Sequence, residues 1–178
     1  MLMPFSDPNI YYYDNVEIKP WTYQLAVSNT GLAFVGLKDD NKYSSIYTFY
    51  PNQMMVHDPE RVEPYVKQLK EYFAGTRKKF TLPIDYGTFG TPFQNKVIEM
   101  IQKIPYGSTV TYGDLASAIN GSTSVRAVAH AVALNPNLIF VPSHRVILND
   151  KQVGGYRMGA KEKLRLINLE KGYLNANS

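Results

Sequence analysis

The sequence predicts an α+β protein: a small β-sheet with one helix, then a mainly helical second half with a helix-turn-helix of winged-helix type. Three observations support this. Apolar or alternating runs separated by turn residues occupy the early chain, a stretch rich in proline and glycine interrupts its middle, and short helical periods between strong capping signals follow.

Runs 22–27 and 32–37 are apolar or alternating, and Ser28-Asn29-Thr30-Gly31 between them is turn chemistry. Run 45–50 is a further β-prone segment, so a small antiparallel sheet is expected. Asp58 and Pro59 then supply an N-cap and a first helical residue, and Val62, Val66, Leu69 and Phe73 recur at helical spacing until Gly75. This half reads as packing. Over 80–90 the sequence FTLPIDYGTFG lacks a helical period, which places the boundary between an amino-terminal domain, 1–86, and a second domain, 87–178.

Beyond the boundary, Thr91 and Gln94 form a capping-box pattern with Pro92 at the first helical position. Phe93, Val97, Ile101 and Ile104 line one face before Pro105-Tyr106-Gly107 ends the helix. Thr111 and Asp114 repeat the signal for a very short helix that stops at Asn120-Gly121. Ser122 or Thr123 starts another, over 124–134, halted by Asn135-Pro136. Two short helices about a tight turn make a candidate helix-turn-helix. In the second, Val125, Val128 and Val132 are expected to face the core, while Arg126 and His130 project elsewhere among alanines 127, 129, 131 and 133. An alanine-faced helix can approach a groove closely, with its arginine entering the base stack or binding phosphate. The alternative is a tightly packed helix with a surface arginine.

A strand over 138–141 leads into Pro142-Ser143-His144-Arg145-Val146. Serine beside histidine invites a hydrolase reading, but the Gly-x-Ser-x-Gly elbow is missing and sequence neighbours rarely have nucleophile-to-base geometry. Gly154-Gly155-Tyr156 precedes a basic amphipathic helix over 160–170, closed by Gly172.

With 178 residues, 44% of them apolar, the chain can bury a core and fold unaided. It contains no cysteine, which excludes disulfides, thiolate zinc sites and thiol nucleophiles. His57, His130 and His144 are scattered without partners at ligand spacing, so neither a metal nor another cofactor is expected. No run approaches the roughly 18 to 20 apolar residues of a membrane span, and the amino terminus lacks a basic segment leading into an apolar one. A cytoplasmic monomer, nuclear if eukaryotic, with no membrane partner is expected. The net charge of +4 is unevenly spread: residues 1–86 hold nine basic and ten acidic side chains, residues 87–178 ten and five. The second half therefore suits a polyanion, although a solvated basic surface explains the same balance.

The segments GTPFQNKVIEMIQKIPYGSTVTYGDLA, SVRAVAHAVALNPN, VPSHRVI, GGYRMG and LINLEKG resemble, in this order and at family spacing, the carboxy-terminal domain of O6-alkylguanine-DNA alkyltransferases. The resemblance covers about residues 88–172, and the first half is similar to the family's variable amino-terminal domain in size and in β-then-α order. It implies a minor-groove helix-turn-helix that flips a damaged guanine into a pocket, since the O6 atom is unreachable inside the duplex. The implied partner is double-stranded DNA containing O6-alkylguanine. Arg126 matches the finger arginine that fills the vacated stack, and Ala127, Ala129 and His130 share its DNA-facing helix. Tyr112 matches the tyrosine that contacts the flipped base, and Asn135 the asparagine that braces the active-site turn. Backbone around Ser143, Val146 and Arg157, with Tyr156 beside it, would meet the guanine edge.

In the repair enzymes the motif reads Pro-Cys-His-Arg-Val, and the cysteine takes the alkyl group once, irreversibly. A histidine held by a glutamate draws off the thiol proton through a water, and His144 and Glu170 match these positions. A thiol suits this because its pKa of roughly 8.5 can be lowered to populate a soft nucleophile. Ser143 stands in its place, and a serine hydroxyl is a weaker acid and a poor nucleophile towards alkyl carbon. The resemblance therefore implies lesion binding without repair. Two histories fit: a working alkyltransferase changed at one position, or an alkyltransferase-like sensor that flags lesions for other repair proteins. The sensors more typically carry tryptophan or alanine there, which favours the first. A transcription factor reading the major groove is a third reading, but an alanine-rich helix offers few base-reading side chains.

Overall fold

A computed structural model describes residues 10–38, 46–86, 90–119 and 124–172. Strands β1 (Ile10–Ile18), β2 (Trp21–Val27), β3 (Leu32–Leu37) and β4 (Met54–His57) form one sheet in the order β3-β2-β1-β4. β2 runs antiparallel to both neighbours, whereas β1 and β4 pair in parallel. The runs expected at 22–27 and 32–37 are strands; β1 and β4 are additional to the sequence reading.

Run 45–50, expected as a strand, instead contains a single helical turn, α1 (Ile46–Phe49); its residue 45 lies outside the described residues. The reason is spacing: Ile46, Phe49 and Tyr50 are all buried in one cluster with Tyr11 and Phe34, and positions i, i+3 and i+4 share a face only in a helix. The opposite face of the sheet is covered by α2 (Pro59–Phe73), whose N-cap Asp58 accepts from the Arg61 amide at 3.2 Å. Val62, Val66, Leu69 and Phe73 of α2 pack on Tyr23, Leu25 and Val35, as the helical period predicts.

In the second half, α3 (Pro92–Gln102) carries a complete capping box: the Gln94 amide donates to Thr91 Oγ1 at 3.2 Å, and the Thr91 amide to Gln94 Oε1 at 2.8 Å. A short strand β5 (Val110–Thr111) enters α4 (Tyr112–Ile119) through the same reciprocal pattern between Thr111 and Asp114. Helix α5 (Val125–Ala133) is capped by Ser124, one or two residues later than the sequence suggested. The expected turn at Asn120-Gly121, with Ser122 and Thr123, lies outside the described residues. β6 (Val146–Ile147) pairs in parallel with β5, and α6 (Ala160–Glu170) closes the described fold. Val97, Ile101, Leu115, Val128, Val132 and Val146 form the core of this half.

Segment 138–141 is not the strand its composition suggests. Leu138 and Val141 bridge each other and Ile139 sits at φ 74, so the chain folds back on itself. The fold-back sends Leu138, Ile139 and Phe140 into the core beneath the first sheet, with Phe140 stacked 3.9 Å from Phe80. The β-prone composition here serves burial. Met158 and Leu166 join the same core, and polar ties add to it: Trp21 and Tyr23 of β2 donate to Glu162 of α6 at 2.8 and 2.6 Å. Burying such a carboxylate is tolerated because its oxygens are bonded.

Candidate functional site

Asn135 and Pro136 end α5 and leave a buried amide under the loop that follows. The Asn135 Nδ2 group donates to the Val141 carbonyl at 2.9 Å and to Ser143 Oγ at 3.0 Å, while its Oδ1 accepts from the Asn137 amide at 2.9 Å. Ser143 itself opens one turn of 3-10 helix, Ser143–Arg145, closed where the Arg145 amide donates to the Pro142 carbonyl at 3.0 Å. Ser143 is only 2% exposed, so its oxygen is held from below and offers a single side to the outside.

His144 is completely buried and donates from Nε2 to Glu170 Oε1 at 2.6 Å. Glu170, the last residue of α6, gathers four further hydrogen bonds. Tyr72 Oη donates to Oε1 at 2.7 Å, Arg145 donates to both oxygens at 2.8 and 3.0 Å, and the Gly107 amide donates to Oε2 at 3.0 Å. Gly107 sits at φ 79, and a Cβ there would lie 3.1 Å from the Glu170 carbonyl oxygen, so glycine is what allows this amide to approach. Burial works to raise the Glu170 pKa, but the hydrogen bonds and charges of His144 and Arg145 outweigh it and hold the carboxyl at about 2. Burial dominates at His144 and lowers its pKa below the ordinary histidine value; Glu170 opposes the shift and the charges of Arg145 and Lys163 add to it. Near neutrality the pair is therefore a carboxylate bonded to a neutral imidazole. With the proton on Nε2, the lone pair is on Nδ1, which is buried without a partner among the described residues.

Above this network lies a pocket of about 1030 Å³ with mostly apolar walls. Ser143, Tyr112, Arg126, Ala129, Tyr156 and Arg157, all expected site residues, line it. Asn135, His144 and Glu170 are buried and support Ser143 rather than forming the wall. Val146 does not reach the pocket: its side chain is in the core of this half and its amide donates to the Ser143 carbonyl. Ala127 and His130 are exposed on α5 but lie off the pocket wall. Val125, expected in the core, is 42% exposed and lines the pocket instead, because the helix begins there and its first turn overhangs the cavity.

The Arg157 guanidinium turns towards the amino-terminal half and donates to the carbonyls of Val35, Asn135 and Pro136 at 3.0 to 3.1 Å, beside the rings of Phe34 and Phe49. Gly36 leaves room for it, since a Cβ there would fall 2.9 Å from its Nη1. Tyr156 has a buried hydroxyl without a hydrogen-bond partner among the described residues. Lys163, fully buried on α6, donates to the Gly155 carbonyl at 3.2 Å and lies 5.6 Å from the Tyr112 ring centre, and burial lowers its pKa to about 8.

Sequence reasoning missed Arg145, Tyr72, Gly107 and Lys163. Arg145 stands inside the motif over 142–146, and an arginine followed by the apolar run Val146-Ile147-Leu148 is a usable signal of a buried ion pair. Tyr72 occupies a buried position of a helix read as packing, and only its hydroxyl distinguishes it from Phe73.

Comparison with known proteins accounts for both halves. Residues 11–86 match the model of the 6-O-methylguanine DNA methyltransferase ribonuclease-like domain, and residues 92–172 that of the same family's DNA binding domain. The inducible methylated-DNA–protein-cysteine methyltransferase of Bacillus subtilis is 38% identical over 172 residues, covering 95% of this chain and 94% of that protein. The crystal structure of Mycobacterium tuberculosis OGT in complex with DNA superposes with a TM-score of 0.79 at 30% identity, covering 94% of this chain and 96% of that one. The O6-methylguanine-DNA methyltransferase of Pyrococcus kodakaraensis gives a TM-score of 0.68 at 26% identity, with 90% and 98% covered. The chain belongs to the 6-O-methylguanine DNA methyltransferase family of DNA-repair alkyltransferases.

Proposed function

We propose that this protein binds O6-alkylguanine in duplex DNA, turns the damaged base out of the stack into the pocket above Ser143, and holds it there without taking the alkyl group. The observation that carries this reading is the composition of one pocket wall: Arg126 and Ala129 of α5 stand with Tyr112, Tyr156 and Ser143 around a single cavity. A helix with small residues and one arginine can enter a groove, and the arginine can fill the gap a flipped base leaves. The base then stacks against apolar walls, with its O6 substituent directed at position 143.

With cysteine at 143, the bond from sulfur to the alkyl carbon would form as the carbon–O6 bond breaks, and guanine would leave as its anion and take up a proton at N1 from water. The thiol proton would pass towards His144 Nδ1, and Glu170 would stabilise the imidazolium through Nε2. Serine keeps the hydrogen bond to Asn135 but offers an oxygen that is seldom ionised and is a hard nucleophile. A complete pocket over an unreactive residue also fits a lesion sensor that passes the site to other repair proteins. Titration of matched duplexes with and without O6-methylguanine, followed by intact-protein mass measurement, tests the proposal. Tighter binding of the methylated duplex with no mass gained is expected; equal affinity for both duplexes would overturn it.

A further inference from the structure

Tyr72 is contributed by α2, in the half of the chain that the sequence assigns to packing, yet its hydroxyl ends at the carboxylate behind His144. It is 1% exposed, with its ring packed against Phe73, Phe80 and Tyr106. Its Oη is 2.7 Å from Glu170 Oε1 and 3.4 Å from His144 Nε2, so tyrosine and imidazole converge on the same carboxylate oxygen. A phenol has one proton to give, and the 2.7 Å contact places it on Oε1.

We infer that Tyr72 is a positioning residue for the alkyl-transfer site, through which the amino-terminal half sets the orientation and basicity of His144. The inference rests on the proposed reading of the pocket and on the cysteine form as its reactive state. A donor on Oε1 draws charge from the oxygen that would hold the imidazolium proton, so it keeps His144 a weaker base and fixes the carboxylate plane against which the ring is set. The groups facing His144 are Tyr72 from α2, Glu170 and Lys163 from α6, Arg145 from its own turn, and the Tyr156 ring at 6.5 Å. Of these, Tyr72 alone comes from the amino-terminal half.

The test uses the full chain carrying Ser143→Cys, alone and combined with Tyr72→Phe or Tyr23→Phe. Tyr23→Phe is the control: it removes a comparable buried bond between the halves, to Glu162 at 2.6 Å, away from His144. Single-turnover methyl transfer from an O6-methylguanine duplex is followed against pH, alongside DNA affinity. Tyr72→Phe is expected to leave affinity within about twofold, slow transfer on the order of tenfold, as loss of a partner behind a reacting group commonly does, and move the acidic limb of the profile to higher pH. Tyr23→Phe should leave affinity, transfer rate and the acidic limb alike unchanged. Equal slowing by both variants, with no movement of the limb, would reduce Tyr72 to a docking contact and overturn the inference. If the Ser143→Cys parent binds DNA but does not transfer, the reading of the pocket as a reactive site fails by itself. The inference is then decided in the Ser143 chain, where Tyr72→Phe must raise the His144 pKa read by NMR; no change there overturns it. If Tyr72→Phe does not fold, 3-fluorotyrosine installed at position 72 sharpens the donor and must move the same titration to lower pH; an unmoved titration overturns the inference.

Discussion

The side-chain amide of Asn135 donates to Ser143 Oγ at 3.0 Å and to the Val141 carbonyl at 2.9 Å, so one buried residue fixes both the Ser143 side chain and the loop that presents it. Asn135→Ala would remove these bonds and the one from the Asn137 amide, leaving buried groups unpaired. A loss of about 3 kcal/mol in unfolding free energy is expected, at roughly 1 kcal/mol for each bond. Denaturant titration at neutral pH measures it, and a loss below about 1 kcal/mol would show that the loop holds itself.

Stability should fall on acidification in two stages. His144 has a folded pKa below its ordinary 6.5, so the unfolded chain binds its proton first, and stability begins to drop as pH falls below 6.5. Glu170 is held at about 2 against an ordinary 4.5. Its contribution is complete above pH 4.5 and is lost as pH falls towards 2, up to about 3 kcal/mol at 1.36 kcal/mol per unit. Unfolding midpoints measured between pH 7 and pH 3 should trace this decline. Glu170→Gln should be less stable at pH 7 and lack the lower stage; an unchanged lower stage would place the acid sensitivity elsewhere.

Arg126 is exposed at the pocket edge, so its removal should be nearly neutral for folding, within about 0.5 kcal/mol. Arg126→Ala should nevertheless weaken binding of the lesion duplex roughly tenfold and reduce the fluorescence of a base analogue at the flipped position. Weakened binding with an undiminished flipping signal would make Arg126 a phosphate contact.

The charge balance of the second half overstates its reach towards DNA. Arg145 is paired with Glu170, Arg165 with Glu162, Lys163 is buried, and Arg157 bonds carbonyls of the chain. Lys96, Lys103, Arg126, Lys151, Lys161 and Lys171 remain exposed, and Lys96 is 3.8 Å from Glu99. With about four of these on phosphates, the logarithm of the association constant should fall with that of salt at a slope of about −4. Titrations at several salt concentrations give the slope, and a value near zero would remove electrostatics from the binding.

Caps at Asp58 and Thr91 and the period of Val62, Val66, Leu69 and Phe73 are local, and the helices they announce are present. β4 is four residues long and finds its place only by pairing with β1, some forty residues away, so no local signal marks it. Segment 138–141 has strand composition because it is buried, and its fold-back at Ile139 depends on contacts from the first half. Ser143, His144, Asn135 and Tyr112 are picked out by the family resemblance and the structure brings them close together, whereas Tyr72 meets Glu170 across 98 positions and carries no motif.

The central claim is that everything required for alkyl transfer except the sulfur surrounds Ser143. Its most direct measurement is intact-protein mass of the Ser143→Cys chain after incubation with an O6-methylguanine duplex, with the DNA analysed for restored guanine. One methyl mass per protein, stoichiometric with guanine, is predicted, together with slower transfer, by about a hundredfold or more, when His144 is also replaced. A cysteine chain that binds the methylated duplex as tightly as the serine chain yet gains no mass would contradict the claim and leave a lesion sensor in its place.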